Sequence, residues 1–152
     1  MSFFEGLVTN VPLICAAVSW LLAQIIKTIL HLIVTRKFDA ERLIGTGGMP
    51  SSHSATVSSL ATAIAVNYGS DSVYFAIALI LAIVVMYDAL GVRRETGKQA
   101  VVINEMIEMF NDMGKPMSAE EKLKIFVGHT PMQVFAGCIF GMLIAFIVCG
   151  II

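Results

Sequence analysis

The chain has 152 residues, of which 57% are hydrophobic and 14% charged, with a mean hydropathy of +0.84. That is too apolar for a water-soluble domain of this size. Ten basic residues against eleven acidic ones nearly cancel and leave no basic stripe, which argues against nucleic acid as a partner.

Cys15, Cys138 and Cys149 are odd in number, lie in apolar runs and form no Cys-x-x-Cys. They therefore read as small buried hydrophobes rather than as a disulfide framework or a zinc site. The opening Met1-Ser2-Phe3-Phe4-Glu5 has no basic region and no small-residue cleavage signal, so the first apolar run reads as a retained span.

The first span is predicted over about residues 11–34, which rise about 36 Å, enough to cross a bilayer with some tilt. Gln24, Lys27 and His31 share one helical stripe in its second half. Either Lys27 snorkels to the headgroups or the stripe faces a polar cavity. A loop with Arg36, Lys37 and Arg42 leads to Gly47-Gly48-Met49-Pro50-Ser51-Ser52-His53-Ser54-Ala55. The glycines supply a loop with free dihedrals, and Pro50 suits the first turn of a helix. Ser51, Ser52 and Ser54 can cap or line that turn, and His53 titrates near neutral pH. A helix N-terminus favours an anion, so the stretch reads either as a phosphate site or as a well-capped helix start.

The second span, about 51–68, has a polar first half with Ser51, Ser52, Ser54, Thr56, Ser58 and Ser59. Such a half must face protein or water rather than lipid. Gly69-Ser70-Asp71-Ser72 is a predicted turn, with Asp71 or Ser70 as the cap of the third span, about 72–90. That span ends in Tyr87-Asp88 and leads into Gly91-Val92-Arg93-Arg94. Residues 93–128 form an interfacial or cytoplasmic segment. Within it, Val102, Met106, Met109 and Phe110 make the apolar face of an amphipathic helix, and a short helix capped by Ser118 with Glu121 in a capping box is expected. Gly128-His129-Thr130-Pro131 then repeats the logic of the earlier stretch and opens the last span, about 131–151. Gly137, Gly141 and Ala145 form a small-residue ladder that admits a close partner helix, from a second copy in a homodimer or from the same chain.

The expected fold is an all-α polytopic membrane bundle, one domain over residues 1–152, with about four transmembrane helices and an interfacial helix. All the Lys and Arg beyond Lys27 fall in the loops after spans one and three. The positive-inside rule then puts both termini outside the cytoplasmic (plasma) membrane and both basic loops in the cytoplasm. This topology brings Lys27, His31, Ser51 to Ser54, Asp88, Arg93, Arg94, His129 and Thr130 to one membrane face.

Two helix N-termini at one point make an anion cradle, and Arg93 and Arg94 can add bidentate contacts or simply anchor the helix. Two histidines permit phosphoryl transfer, one attacking phosphorus and one protonating the leaving alkoxide. Asp88 can fix a histidine tautomer or pair with Arg93 or Lys27. No tight carboxylate–histidine set calls for a metal, and no cofactor is expected.

At Met49-Pro50-Ser51-Ser52-His53-Ser54, Tyr87-Asp88-Ala89-x-Gly91-Val92-Arg93-Arg94-x-x-Gly97 and Gly128-His129-Thr130-Pro131, the chain resembles the divergent branch of the type-2 phosphatidic acid phosphatases, relatives of the acid phosphatases and vanadium-dependent haloperoxidases. The resemblance spans nearly the whole chain. It implies that His53 is the acid and His129 the nucleophile. Ser52 replaces the superfamily's glycine, Gln133 stands where its orienting carboxylate would be, and Leu123 where an arginine would be. Its first motif is matched only by Lys27 and Arg36, without the spacing or the proline.

The first expectation is a lipid-phosphate phosphatase acting at the cytoplasmic leaflet on a phospholipid or isoprenoid phosphate. Lys27, Ser51, Ser52, Arg93, Arg94 and Thr130 would hold the phosphate, and His53, His129 and Asp88 would do the chemistry. The alternatives are a non-catalytic phosphate-lipid binder or transporter on the same fold, and a structural membrane protein whose histidines are only caps.

Overall fold

The computed structural model of the protein describes residues 2–36, 48–114 and 130–152, with the backbone alone for Val92, Arg93 and Arg94. All regular structure among the described residues is helical: α1 (Phe3–Thr9), α2 (Val11–Thr35), α3 (Ser52–Tyr68), α4 (Val73–Leu90), α5 (Val92–Asp112) and α6 (Pro131–Ile151). The short α1, closed by a Ser2–Glu5 capping box, was not foreseen in the sequence.

Side-chain caps set most of the helix starts. Asn10 accepts from Leu13 N–H at 3.0 Å and starts α2. Ser51 starts α3, so Pro50 lies just before the cap and not in the first turn as its residue type suggested; the Met49–Pro50 peptide is cis. Ser72, rather than Asp71 or Ser70, caps α4, because its hydroxyl accepts from Phe75 N–H at 3.2 Å. Thr130 caps α6, with Pro131 in the first turn.

The helix in the middle is less apolar than the three around it. α3 packs against α2, α4 and α6. Its Ser52, Ser54, Ser58 and Ser59 are all buried, so the polar half does face protein. Ser19 Oγ donates to the Ala55 carbonyl at 3.1 Å, and Ser59 Oγ donates to the Cys15 carbonyl at 3.0 Å. These two bonds fix α2 and α3 antiparallel. α6 runs parallel to α3: Gly137 lies on the Ser51 carbonyl and Gly141 on the Ala55 carbonyl, so closely that a Cβ at either would collide with backbone. Of the two partners open to the small-residue ladder, the structure supplies a helix of the same chain. A homodimer through Gly137 and Gly141 would need a surface that α3 already covers.

The interior is built from small side chains, among them Cys15, Ala16, Ala23, Ala55, Ala63, Ala78, Ala82 and Ala145. The large ones, such as Trp20, Leu21, Ile80, Ile83, Phe135 and Ile147, point outward. Small residues inside and large apolar residues outside is the packing of helices in lipid, where close backbone approach replaces hydrophobic collapse. Among the described residues three helical runs are long and apolar enough to cross a membrane: Val11–Thr35, Val73–Asp112 and Pro131–Ile151. α3, with 17 residues and a serine-rich half, is not among them; it is the element they pack around.

α4 passes into α5 through Gly91 alone. Along α5, Val102, Met106, Met109 and Phe110 are exposed as expected of the apolar face, while Ala100 and Ile107 are buried. The expected Ser118 helix lies outside the described residues.

If the α3–α6 contact sets the bundle, Gly141→Ala will destabilise it by about 1–3 kcal/mol through overpacking against backbone, whereas Gly150→Ala, with open space around its Cβ position, will change little. Thermal unfolding of the two purified variants in one detergent checks this; equal midpoints would contradict the packing.

Candidate active site

The site is built where α3 and α6 begin. Ser51 N–H donates to the Gln133 carbonyl at 3.1 Å, which ties the two helix starts side by side. Two parallel helices beginning together add their N-terminal partial charges in one place. The two helix starts therefore lie side by side, and His129, one residue before the cap of α6, lies outside the described residues.

The hydroxyls are engaged at these starts. Ser51 Oγ accepts from Ser54 N–H at 3.3 Å and from Ser54 Oγ at 3.0 Å, and both serines are fully buried. Ser52 is also buried. Thr130 Oγ1 accepts from Gln133 N–H at 3.3 Å, and Thr130 N–H donates to Gln133 Oε1 at 3.0 Å. Gln133, which stands where an orienting carboxylate was sought, thus closes a capping box on its own helix. Thr130 itself is exposed.

Lys27 does not snorkel. It is 3% exposed, and its neighbour on the stripe, Gln24, is 4% exposed, while His31 is half-buried. The antiparallel register carries α2 past the start of α3 and sets the Lys27 stem on the loop at Gly48. A Cβ at Gly48 would stand 2.8 Å from Lys27 Cγ and 3.0 Å from Cδ, and Gly48 holds φ +85°. Only glycine serves there readily, because it has neither the Cβ nor the left-handed penalty. A buried ammonium is costly unless compensated, so its presence beside two helix starts marks a polar interior.

His53 and Asp88 meet in one cleft of ≈ 370 Å³, lined also by Val84, Val85 and Ala89. The tight α3–α4 turn makes this possible: the chain reverses over residues 69–72, with Gly69 at φ +87°, and residues equally far from the middle of that turn on the two helices come level. Two of the three expected catalytic residues are thereby brought together from different helices. Arg93 and Arg94 follow on the first turn of α5, within two turns of Asp88 along the chain. Their side chains, like His129, Leu123, Lys37, Arg42, Lys115, Lys122 and Lys124, lie outside the described residues, whereas Arg36 caps the end of α2 and Lys98 pairs with Glu95 at 2.7 Å.

Other polar positions were not singled out as site residues. Gln24 Oε1 and Ser58 Oγ are buried with no hydrogen-bond partner among the described residues, an expensive state. The spacing of Gln24 from Lys27 and the serine run of α3 were the signals available for them. Among the described residues no group of His, Cys, Asp and Glu has the arrangement to hold a metal ion.

A family model described as the divergent PAP2 family matches residues 8–144. The uncharacterized membrane protein YuiD of Bacillus subtilis (strain 168) is 43% identical over 150 residues, covering 93% of this chain and 95% of its own length. No solved structure matches the chain.

The Gly48–Lys27 contact yields a paired test. Gly114 also has positive φ but nothing within 4 Å of its Cβ position. Alanine at either glycine carries about 1–2 kcal/mol of left-handed strain, and only Gly48→Ala must also displace Lys27. Its thermal midpoint should fall further than that of Gly114→Ala, and Lys27→Ala should narrow the difference. Equal losses would mean that Lys27 is not seated on Gly48.

Proposed function

Since the chain belongs to the divergent PAP2 family, we propose that it is a membrane lipid-phosphate phosphatase working at the cytoplasmic leaflet. The observation that carries the reading is that His53 and Asp88 share one cleft while the starts of α3 and α6 are tied together by the Ser51–Gln133 bond. An imidazole and a carboxylate beside two helix N-termini supply proton transfer and anion binding, two of the parts that phosphoryl transfer needs.

In this reading the phosphate lies across the paired N-termini, with Lys27, Arg93, Arg94, Ser51, Ser52 and Thr130 around its oxygens. A nitrogen of His129 attacks phosphorus, a P–N bond forms and the ester P–O bond breaks. His53 gives its proton to the departing alkoxide. Water then attacks the phosphohistidine, the P–N bond breaks, and the water's proton returns to His53. Asp88 orients an imidazole in the cleft. Both termini lie outside and the basic loops in the cytoplasm. α5 rests on the inner surface with Val102, Met106, Met109 and Phe110 in the acyl boundary.

One observation favours a second reading, phosphate-lipid binding or transport without cleavage. Gln133 is an amide and is engaged in a capping box, so a nucleophile at position 129 lacks the carboxylate that the wider superfamily places there.

Purified protein incubated with phosphatidic acid, phosphatidylglycerophosphate and an isoprenyl phosphate separates the two. Hydrolysis predicts phosphate release that falls by about 10²–10⁴ in His53→Ala, the range for loss of a general acid, and at least as far in His129→Ala, with a smaller loss in Asp88→Asn. Binding alone predicts a thermal shift with vanadate and no release from any variant. Release that is equal in wild type and both histidine variants would overturn the hydrolase reading.

A further inference from the structure

The helices around α3 do not close. α6 touches both α2 and α4, but no residue pair of α2 and α4 has Cα atoms within 8 Å. α3 is consequently covered on three sides and left accessible along a fourth. The exposure pattern of α3 marks that side: up to Ala61 the half-buried residues are His53, Thr56 and Leu60, at spacings of three and four, continued by Ile64, while Ser52, Ser54, Ala55, Val57, Ser58, Ser59, Ala61 and Ala63 are buried; Thr62 and Ala65, near the end of the helix, are half-buried off the stripe.

This stripe joins two clefts. At one end is the cleft of His53 and Asp88. At the other is a cleft of ≈ 500 Å³ between the starts of α2 and α4, lined by Leu13, Leu60, Ile64, Tyr68 and Tyr74 among others. On α4, Tyr74 of the second cleft and Val85 and Asp88 of the first are eleven and three residues apart, spacings that keep them on one side of that helix as well. The seam is thus polar at the His53 end and apolar beyond it. It faces the same surroundings as the outward Ile80, Ile83 and Trp20.

We propose that the seam between α2 and α4 binds the hydrocarbon chain of a lipid whose phosphate headgroup sits at the His53–Asp88 cleft. This rests on the phosphate reading of that cleft and adds where the rest of the ligand goes. From His53 to Ile64 the floor rises about 16 Å, close to the roughly 15 Å depth of one leaflet's hydrocarbon. One chain lying along Leu60 and Ile64 therefore places its headgroup at His53 without leaving its leaflet. The ligand reaches the site sideways, from the membrane. Tyr68 and Tyr74, packed edge to face with ring centroids 5.6 Å apart, stand at the far end of the floor.

The test uses the wild-type full chain in nanodiscs. One arm contains phosphatidic acid with a diazirine in its acyl chain, the other phosphatidylcholine with the same chain, and cross-links are mapped by mass spectrometry. The expected result is labelling around Leu60 and Ile64 severalfold stronger with phosphatidic acid and suppressed by excess unlabelled phosphatidic acid. The outward face of α6 at Phe146 and Ile147 should label equally in both arms. Ile64→Trp, which fills the seam, should abolish the phosphatidic acid preference. Equal labelling of α3 in the two arms, or labelling confined to outward faces, overturns the proposal. Phosphate release is not read here, so selective labelling supports the groove whatever the release assay says of hydrolysis, and the two readings fail separately.

Discussion

The four buried serines of α3 cannot lie against hydrocarbon, and the rest of the molecule is arranged around that constraint. α3 is sheathed by three more apolar helices. Contact is close because the facing residues are glycine, alanine and serine, and two serine hydroxyls donate across the α2–α3 interface to backbone carbonyls. Within lipid such bonds add modestly to close van der Waals packing, about 0.6 to 2 kcal/mol each. The glycine ladder of α6 contributes no side-chain area. Its role is to let two helix backbones meet, and so to place their N-termini together.

The functional arrangement follows from the same packing. Parallel α3 and α6 start side by side, antiparallel α2 delivers Lys27 to the loop at Gly48, and the short turn at Gly69 brings Asp88 level with His53. None of these residues is close to all the others in sequence. Polar groups that would be costly singly in a membrane are gathered at one end of the bundle, where helix dipoles and a buried ammonium favour an anion. The side of α3 between α2 and α4, which do not touch, runs from that end toward the opposite one.

Much of this could be read from the chain before any coordinates. Long apolar runs predict spans at about 11–34, 72–90 and 131–151, each within a residue of the observed helices, and the serine pattern of residues 51–59 requires a protein-facing second helix. The motifs containing His53, Asp88 and His129 pointed to the family that the comparisons then established. What could not be read depended on packing. The choice between a second copy and α3 as partner of Gly137 and Gly141 is a matter of three-dimensional register. Lys27 had two physically acceptable fates, and only the position of the Gly48 loop decides between them. Cap identity at Ser72 over Asp71 turns on one residue of phase, and Pro50 fell outside the helix because Ser51 took the cap. The gap between α2 and α4 has no signature in either helix alone.

The central claim is that the starts of α3 and α6, with the cleft of His53 and Asp88, form one pocket for a phosphate group. An experimental structure of the protein in lipid with orthovanadate bound tests it most directly. The account predicts the oxyanion at the paired helix N-termini, within hydrogen-bond reach of His53, with the His129 imidazole on its other side and Asp88 against one of the two rings. An oxyanion bound elsewhere, or the two imidazoles turned apart with nothing between them, would contradict it.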